Sequence, residues 1–154
     1  SFIENIADRG VRSELDAMHY LAEGPIKCYQ QHGYGLFLVE NSENHTPMGF
    51  CGLLFRDHLQ ETDIGFAFLP QYWGKGYAFE AVYAMVKAGF SGVLACGQLH
   101  RIQADTVPGN SASEALLLRL GFKQEGLRRE CGYWKNTFHD LTCFGLLRSE
   151  FSAS

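Results

Sequence analysis

Residues 63–78 read DIGFAFLPQYWGKGYA, and the order of these residues decides the fold. A strand-forming run ends at Pro70, a loop carries Gly74 and Gly76, and an alanine- and aromatic-rich helix opens at Tyr77. The first amides of a helix have no partner within it, and the helix dipole is positive at that end. Strand, Gly-x-Gly loop and helix start in that order therefore make an anion site. Glycines at 74 and 76 let the backbone approach a ligand closely and adopt φ > 0. The predicted ligand carries phosphate. The alternative is a tight strand-to-helix turn with no ligand, since a Gly-x-Gly motif taken alone is only a hypothesis.

Two common phosphate loops do not fit. A Walker loop needs Lys-Ser/Thr after its last glycine, and Gly76 is followed by Tyr77. A dinucleotide fingerprint needs a third glycine where Phe79 stands. What remains is Gln71-x-x-Gly74-x-Gly76-x-Ala78. This resembles the pyrophosphate loop of the GNAT family of N-acetyltransferases, which bind acetyl-CoA. A second motif lies downstream in LHRIQADTVPGNSASEALLLRLGFKQEGLRRE, residues 99–130. Leu99 to Thr106 has strand character, Asn110-Ser-Ala-Ser113 starts a helix, and Gly121 ends it as a C′ glycine does. Ser111 and Glu114 have capping-box spacing, with Asn110 as a rival cap. A strand, Asn-x-x-Ser and a helix ending Leu-Gly-Phe is similar to what the family shows after its cofactor helix. The segments PQYWGKGYAFEA, NSAS, LGF and HDL most resemble its Rim-type branch, whose best-known members acetylate the N-termini of ribosomal proteins.

The resemblance covers the chain from Ser1 and implies an α+β fold. Its expected form is a single domain over 1–154 with a central mixed, largely antiparallel sheet, flanked by helices and splayed at the cofactor strands. The family's usual first strand has no counterpart in the sequence, so an edge strand is expected to be missing and the stability of the chain alone is in question. Carried over, backbone groups of Phe66, Ala67, Phe68 and Leu69 would pair with pantetheine, one amide acting as an oxyanion donor. Gln71 opens the loop, and amides of Tyr72, Trp73, Gly74, Lys75, Gly76, Tyr77 and Ala78 would take the pyrophosphate. Lys75 adds charge there or remains a solvated loop lysine. Asn110 would contact pantetheine, cap its helix, or do both. Ser113 stands where the branch has a serine near the thiol, as acid or orienting group, or as a plain first-turn serine. Asp63 stands where many members carry the base, and Glu61, Glu125 and Glu130 are rivals, each with a surface carboxylate as its plainer reading. Direct attack without a covalent enzyme is implied, and no cysteine has a matched histidine near a site motif.

Composition sets bounds on partners. The chain has 154 residues, 46% apolar and 19% charged, which fits one folded domain. A formal charge of −4 argues against nucleic acid as the principal partner, while an acidic surface suits a cationic protein substrate. Five scattered cysteines without CxxC spacing, mostly within apolar runs, read as reduced and buried, and six histidines show no ligand spacing, so no metal is expected. No apolar run of 18 residues or signal-peptide pattern is present, which points to a soluble cytoplasmic protein with no membrane partner.

Along the chain, helices are expected over 14–23 (capped by Ser13), 26–32, 77–91 and from Asn110 to Leu120. Strands are expected over 34–40, 48–55, 62–69, 99–106, 122–130 and 138–147, the second covered on both faces and the last two joined around Lys135-Asn136. Tyr34, Phe37, Phe50, Phe55, Phe66 and Phe68 read mostly as core, and Tyr72 and Trp73 as buttresses of the loop. Tyr133, Trp134 and His139 would form an acceptor wall or a homodimer contact. The expected function is acetyl-CoA-dependent acetylation of a primary amine, with a protein N-terminus as the leading acceptor. Alternatives are a small amine (a polyamine, amino acid or antibiotic) and a non-catalytic acyl-CoA-binding module.

Overall fold

The computed structural model describes residues 26–152, so the helix expected over 14–23 and its Ser13 cap lie outside the described residues. Six strands form one sheet: β1 (Leu36–Glu40), β2 (Pro47–Arg56), β3 (Glu61–Phe68), β4 (Arg101–Thr106), β5 (Lys123–Trp134) and β6 (Thr137–Leu147). Their order is β1-β2-β3-β4-β6-β5. Every pairing is antiparallel except β3 with β4, which is parallel and registers at one pair, Asp63 with Gln103. Among the described residues, three helices accompany the sheet: α1 (Lys27–His32), α2 (Tyr77–Ser91) and α3 (Ser111–Arg119).

Strand alternation gives the sheet two different faces. Leu53, Ile64, Ile102, Phe144 and Leu146 point into the core, where α2 lays Val82, Val86 and Phe90. These helix positions lie on one face of a 3.6-residue repeat. Gly89 brings α2 close: a Cβ there would stand 3.0–3.2 Å from side chains of Leu53, Leu99 and Ile102. Val82, Val86, Leu53, Ile102 and Leu146 are fully enclosed. The other face of the central strands carries charge. Arg56 holds Asp63, Arg101 bridges Glu61 and Glu125, and Arg128 pairs with Asp105. Gly145 makes room for this layer, since a Cβ there would meet the Arg101 and Glu125 side chains.

Local signals set most boundaries. Gly121, at φ 97°, ends α3 in a Schellman arrangement: the Phe122 amide donates to Leu117 O and the Gly121 amide to Leu118 O, each at 3.0 Å. The cap at the other end is Asn110, whose Oδ1 accepts from the Ser113 amide, not the Ser111–Glu114 box. Glu114 instead faces the Thr106 hydroxyl at 3.4 Å. The β5–β6 turn is Lys135-Asn136, both at positive φ, which matches strand twist in a two-residue hairpin.

Several expectations need correction. Strand β5 runs on to Trp134, past the expected end at 130, because a bulge between Arg128 and Gly132 absorbs the break in alternation. At its centre Glu130 takes φ 50°, and its amide donates to Asp140 Oδ1 at 2.8 Å. Strand β2 is not covered on both faces, since Phe50 is 43% exposed and its partner Leu38 on β1 is 52% exposed. Of the cysteines, Cys28 and Cys51 are buried, whereas Cys96 and Cys131 are exposed.

Two predictions follow from this packing. Leu53→Ala, at a fully enclosed site, should lower stability by about 3 kcal/mol in urea unfolding. For Asp63, burial pushes the carboxyl up to about 6, with Arg56 pulling it back. The folded chain thus holds that proton more tightly than the unfolded chain, whose value is near 3.8. The contribution to stability is full below the unfolded value and is lost as pH rises through about 6. Asp63→Asn cannot ionise. Relative to the parent it should gain on the order of 3 kcal/mol between about pH 3.5 and 7. Parallel pH–stability curves for the two proteins would reject this.

Candidate functional site

Beyond the Asp63–Gln103 contact, β3 and β4 part, and one edge of β3 is left open from Ile64 onward. Antiparallel pairing with β2 determines which backbone groups face that opening. The Leu69 amide donates to Met48 O at 2.9 Å, so Leu69 is bonded toward β2, and Ala67 and Gly65 follow by alternation. Phe66 and Phe68 therefore direct their amides and carbonyls into the gap. Of the four residues expected to pair with pantetheine, the pleat makes two available and spends Ala67 and Leu69 on the neighbouring strand. The Phe68 carbonyl accepts the Trp73 indole N–H at 2.7 Å, so Trp73 ties the loop to the open edge as a buttress would.

The strand leads into a 3-10 turn, Pro70–Tyr72, that closes the Tyr72 amide onto Leu69 O and the Trp73 amide onto Pro70 O. Tyr72 also meets Tyr77 edge to face, bracing the loop. With those two amides used, the anion cradle narrows to Gly74 through Ala78. Gly74 and Gly76 both take left-handed φ, 70° and 84°, and a Cβ at either would meet nothing within 4 Å. The first backbone bond of α2 is from the Glu80 amide to Gly76 O, and no side chain caps the amides before it. Open space, free amides and a positive helix end fit a pyrophosphate. Gln71 and Lys75 lie exposed on the rim.

Across the gap, Asn110 and the half-buried Ser113 mark the start of α3. Asn110 spends its Oδ1 on the cap and leaves its amide N–H₂ group for a ligand. The expected carboxylates are differently employed. Asp63 is 5% exposed and accepts both Arg56 Nε (2.9 Å) and Nη2 (2.7 Å) on one oxygen, with Gln103 Nε2 3.4 Å from the other. Glu61 takes Arg101 Nε at 3.0 Å. Glu125 takes the other two Arg101 nitrogens at 2.8 and 2.6 Å, and this bonding lowers its pKa.

Glu130 lines a cavity of about 310 Å³ with Val107, Pro108, Phe138, His139 and Asp140. The cavity lies where β4 turns away toward α3 and the β5–β6 hairpin runs on. Two carboxylates and a histidine line it, with no Lys or Arg, so it suits a cation. His139 is fixed there: its ring stacks on Trp134 at 4.0 Å, with Nε2 3.0 Å from Trp134 O. Gly132 admits that Trp134 ring, which a Cβ would meet at 2.2 Å. Tyr133 and Phe138 form an exposed cross-strand pair on the same hairpin. Among the described residues, no group of three or more His, Cys, Asp or Glu is placed to hold a metal, and no helix is long and apolar enough to cross a membrane.

Sequence reasoning missed Arg101, Asp105 and Arg128. A signal was present, since Arg101, Gln103 and Asp105 recur every second residue on an otherwise apolar strand and so share one face.

A family model described as the acetyltransferase (GNAT) domain matches residues 7–123. Among curated proteins, the N-acetyltransferase p20 of Bacillus licheniformis, itself uncharacterised, is 33% identical over 117 residues. That match covers 75% of this chain and 64% of p20. The ribosomal protein uS5-alanine N-acetyltransferase of Escherichia coli is 30% identical over 113 residues, 71% of this chain and 55% of that protein. The chain thus spans somewhat less than two thirds of the length of these relatives. Among solved structures, a GNAT-family acetyltransferase from Bacillus anthracis superposes with a TM-score of 0.72 at 27% identity, covering 91% of this chain and 78% of the other. The family match, its relatives and the splayed mixed sheet agree: the chain belongs to the GNAT acetyltransferase family.

Proposed function

We propose that the protein transfers an acetyl group from acetyl-CoA to a primary amine, and that the favoured acceptor is the N-terminus of a protein. The observation that carries the transfer is the open β3 edge running into an unfilled glycine cradle at the start of α2. In this reading Gly74 to Ala78 bind the pyrophosphate, and the inward amides of Phe66 and Phe68 align the pantetheine arm. One of those two amides faces the acetyl oxygen, where negative charge grows during attack. Asn110 steadies the arm from the opposite side, and Ser113 returns a proton to the departing sulfur. When bound, acetyl-CoA supplies the activated acyl group.

A protein acceptor is supported by 30% identity to an enzyme whose name specifies an N-terminal alanine of a ribosomal protein. A second reading, a small polyamine, is favoured by the paired carboxylates of Glu130 and Asp140 in one cavity.

Calorimetry with acetyl-CoA tests the cofactor site. Gly76→Glu sets a carboxylate against the pyrophosphate and should weaken binding by roughly a hundredfold or more. Equal affinity in a folded variant would remove the cradle from the proposal. Steady-state assays with an alanine-terminated peptide and with spermidine then separate the acceptors. Glu130→Gln should raise KM for the accepted amine about tenfold with kcat held, as expected when uniform binding is lost. An unchanged KM would place the acceptor elsewhere.

A further inference from the structure

Phe79 lies in the first turn of α2, at the position where a dinucleotide fingerprint would need its third glycine. It carries a large ring there instead. The ring is half-buried against the core and stacks on Tyr83, with centroids 6.3 Å apart and planes 17° apart. Over it lies a cation: the guanidinium carbon of Arg119 is 4.0 Å from the ring centroid.

Arg119 is exposed, and among the described residues its guanidinium has no hydrogen bond or ion pair. Its place in the last turn of α3 suits a cation, because a helix is negative at that end. The place its charge reaches does not. Helical side chains lean toward the N-terminus of their helix, so the Phe79 ring lies back over the turn that starts at Gly76. At 1.5 Å of rise per residue, Phe79 itself is about 4.5 Å along the axis from Gly76. Arg119 therefore adds a full positive charge beside a helix end that is already positive. An exposed cation–π contact and the repulsion from a helix end are of similar size, so the arrangement gains little by itself. It gains when an anion joins them, and Glu80, the acid of that turn, does not pair with Arg119.

The chemistry of the cradle indicates which anion. Gly74 to Ala78 offer their amides to a pyrophosphate. Coenzyme A carries one further phosphate, on the 3′ carbon of the ribose that joins its pyrophosphate to adenine. That group hangs one sugar away from the cradle. A guanidinium seated by its face on an aromatic ring keeps its N–H edge free for two phosphate oxygens.

We propose that Arg119 binds the 3′-phosphate of coenzyme A and makes the site selective for CoA over its dephosphorylated form, with Phe79 positioning the guanidinium. This rests on the acetyl-transfer reading above and gives Arg119 no part in the chemical step. It selects the carrier, not the acyl group or the amine.

The test measures binding to the whole chain by calorimetry, with CoA and 3′-dephospho-CoA as the two probes. The parent should bind CoA about tenfold more tightly than dephospho-CoA, as expected of one charge-assisted contact at an exposed site. That preference should shrink as salt is raised. Arg119→Gln changes an exposed side chain and should reduce the preference to within about twofold by weakening CoA alone. Phe79→Leu keeps an apolar side chain but lacks a π face, and should cut the preference about threefold. An undiminished preference in that variant would remove Phe79 from the assignment. Equal affinities in the parent, a preference that survives Arg119→Gln, or an equal loss of both probes in that variant would overturn the role of Arg119 and leave acetyl transfer standing. No binding of either probe by the folded parent would overturn both.

Discussion

The structure depends on how its two half-sheets meet. Strands β1 to β3 form one antiparallel unit and β4 to β6 another, and they register at the single pair Asp63–Gln103. A full parallel ladder would close the gap in which a pantetheine arm could lie, and no contact at all would separate the halves. Side chains make up for the missing backbone ladder. Arg101 on β4 reaches Glu61 on β3, and Gln103 reaches Asp63. On the opposite face α2 spans the junction, touching Leu53 on one side and Ile102 on the other through the bare Cα of Gly89.

This arrangement explains why the sheet has a charged face. Three arginines, Arg56, Arg101 and Arg128, each hold at least one carboxylate there. Ion pairs in such semi-buried places are poor sources of net stability, because desolvation offsets much of the attraction. Removing one partner, however, leaves the other charge stranded. The layer therefore fixes register more than it adds binding energy between the halves. It also pairs three of the expected bases, Asp63, Glu61 and Glu125, with arginines. Asp105 differs in that its buried Oδ1 has no hydrogen-bond partner among the described residues.

How much of this was legible in the sequence depended on how local each signal was. Helix α2 was readable to its ends, because Gly76 precedes it and Gly92, at φ 85°, follows it. The end of α3 was readable because Gly121 can take a φ that the residues before it avoid. The length of β5 was hidden, since its bulge depends on Asp140 receiving the Glu130 amide from the facing strand. The pairings within the charged layer were hidden for the same reason. Arg101 and Glu61 are 40 residues apart in the chain and meet only across the parallel junction. Asp63 was read from the sequence as a carboxylate on the strand before the glycine loop, where β3 carries it. Its engagement with Arg56 becomes visible only once β2 folds beside β3 in register.

The pleat completes the argument from fold to chemistry. Because Leu69 is bonded to β2, Phe66 and Phe68 alone in that run can offer amides to the gap, and every second residue on β4 turns its side chain to the open face. A thioester laid along β3 would thus have donor amides along its edge. The two ends of the site also differ in charge. Free amides at the start of α2 would favour a phosphate, whereas the carboxylates of Glu130 and Asp140 would favour an ammonium. Exchanging the two ligands would put phosphate against carboxylates and a cation against a positive helix end. In the proposed reaction the field of the folded chain would therefore favour one direction of entry for the two substrates, before any side chain makes contact with them.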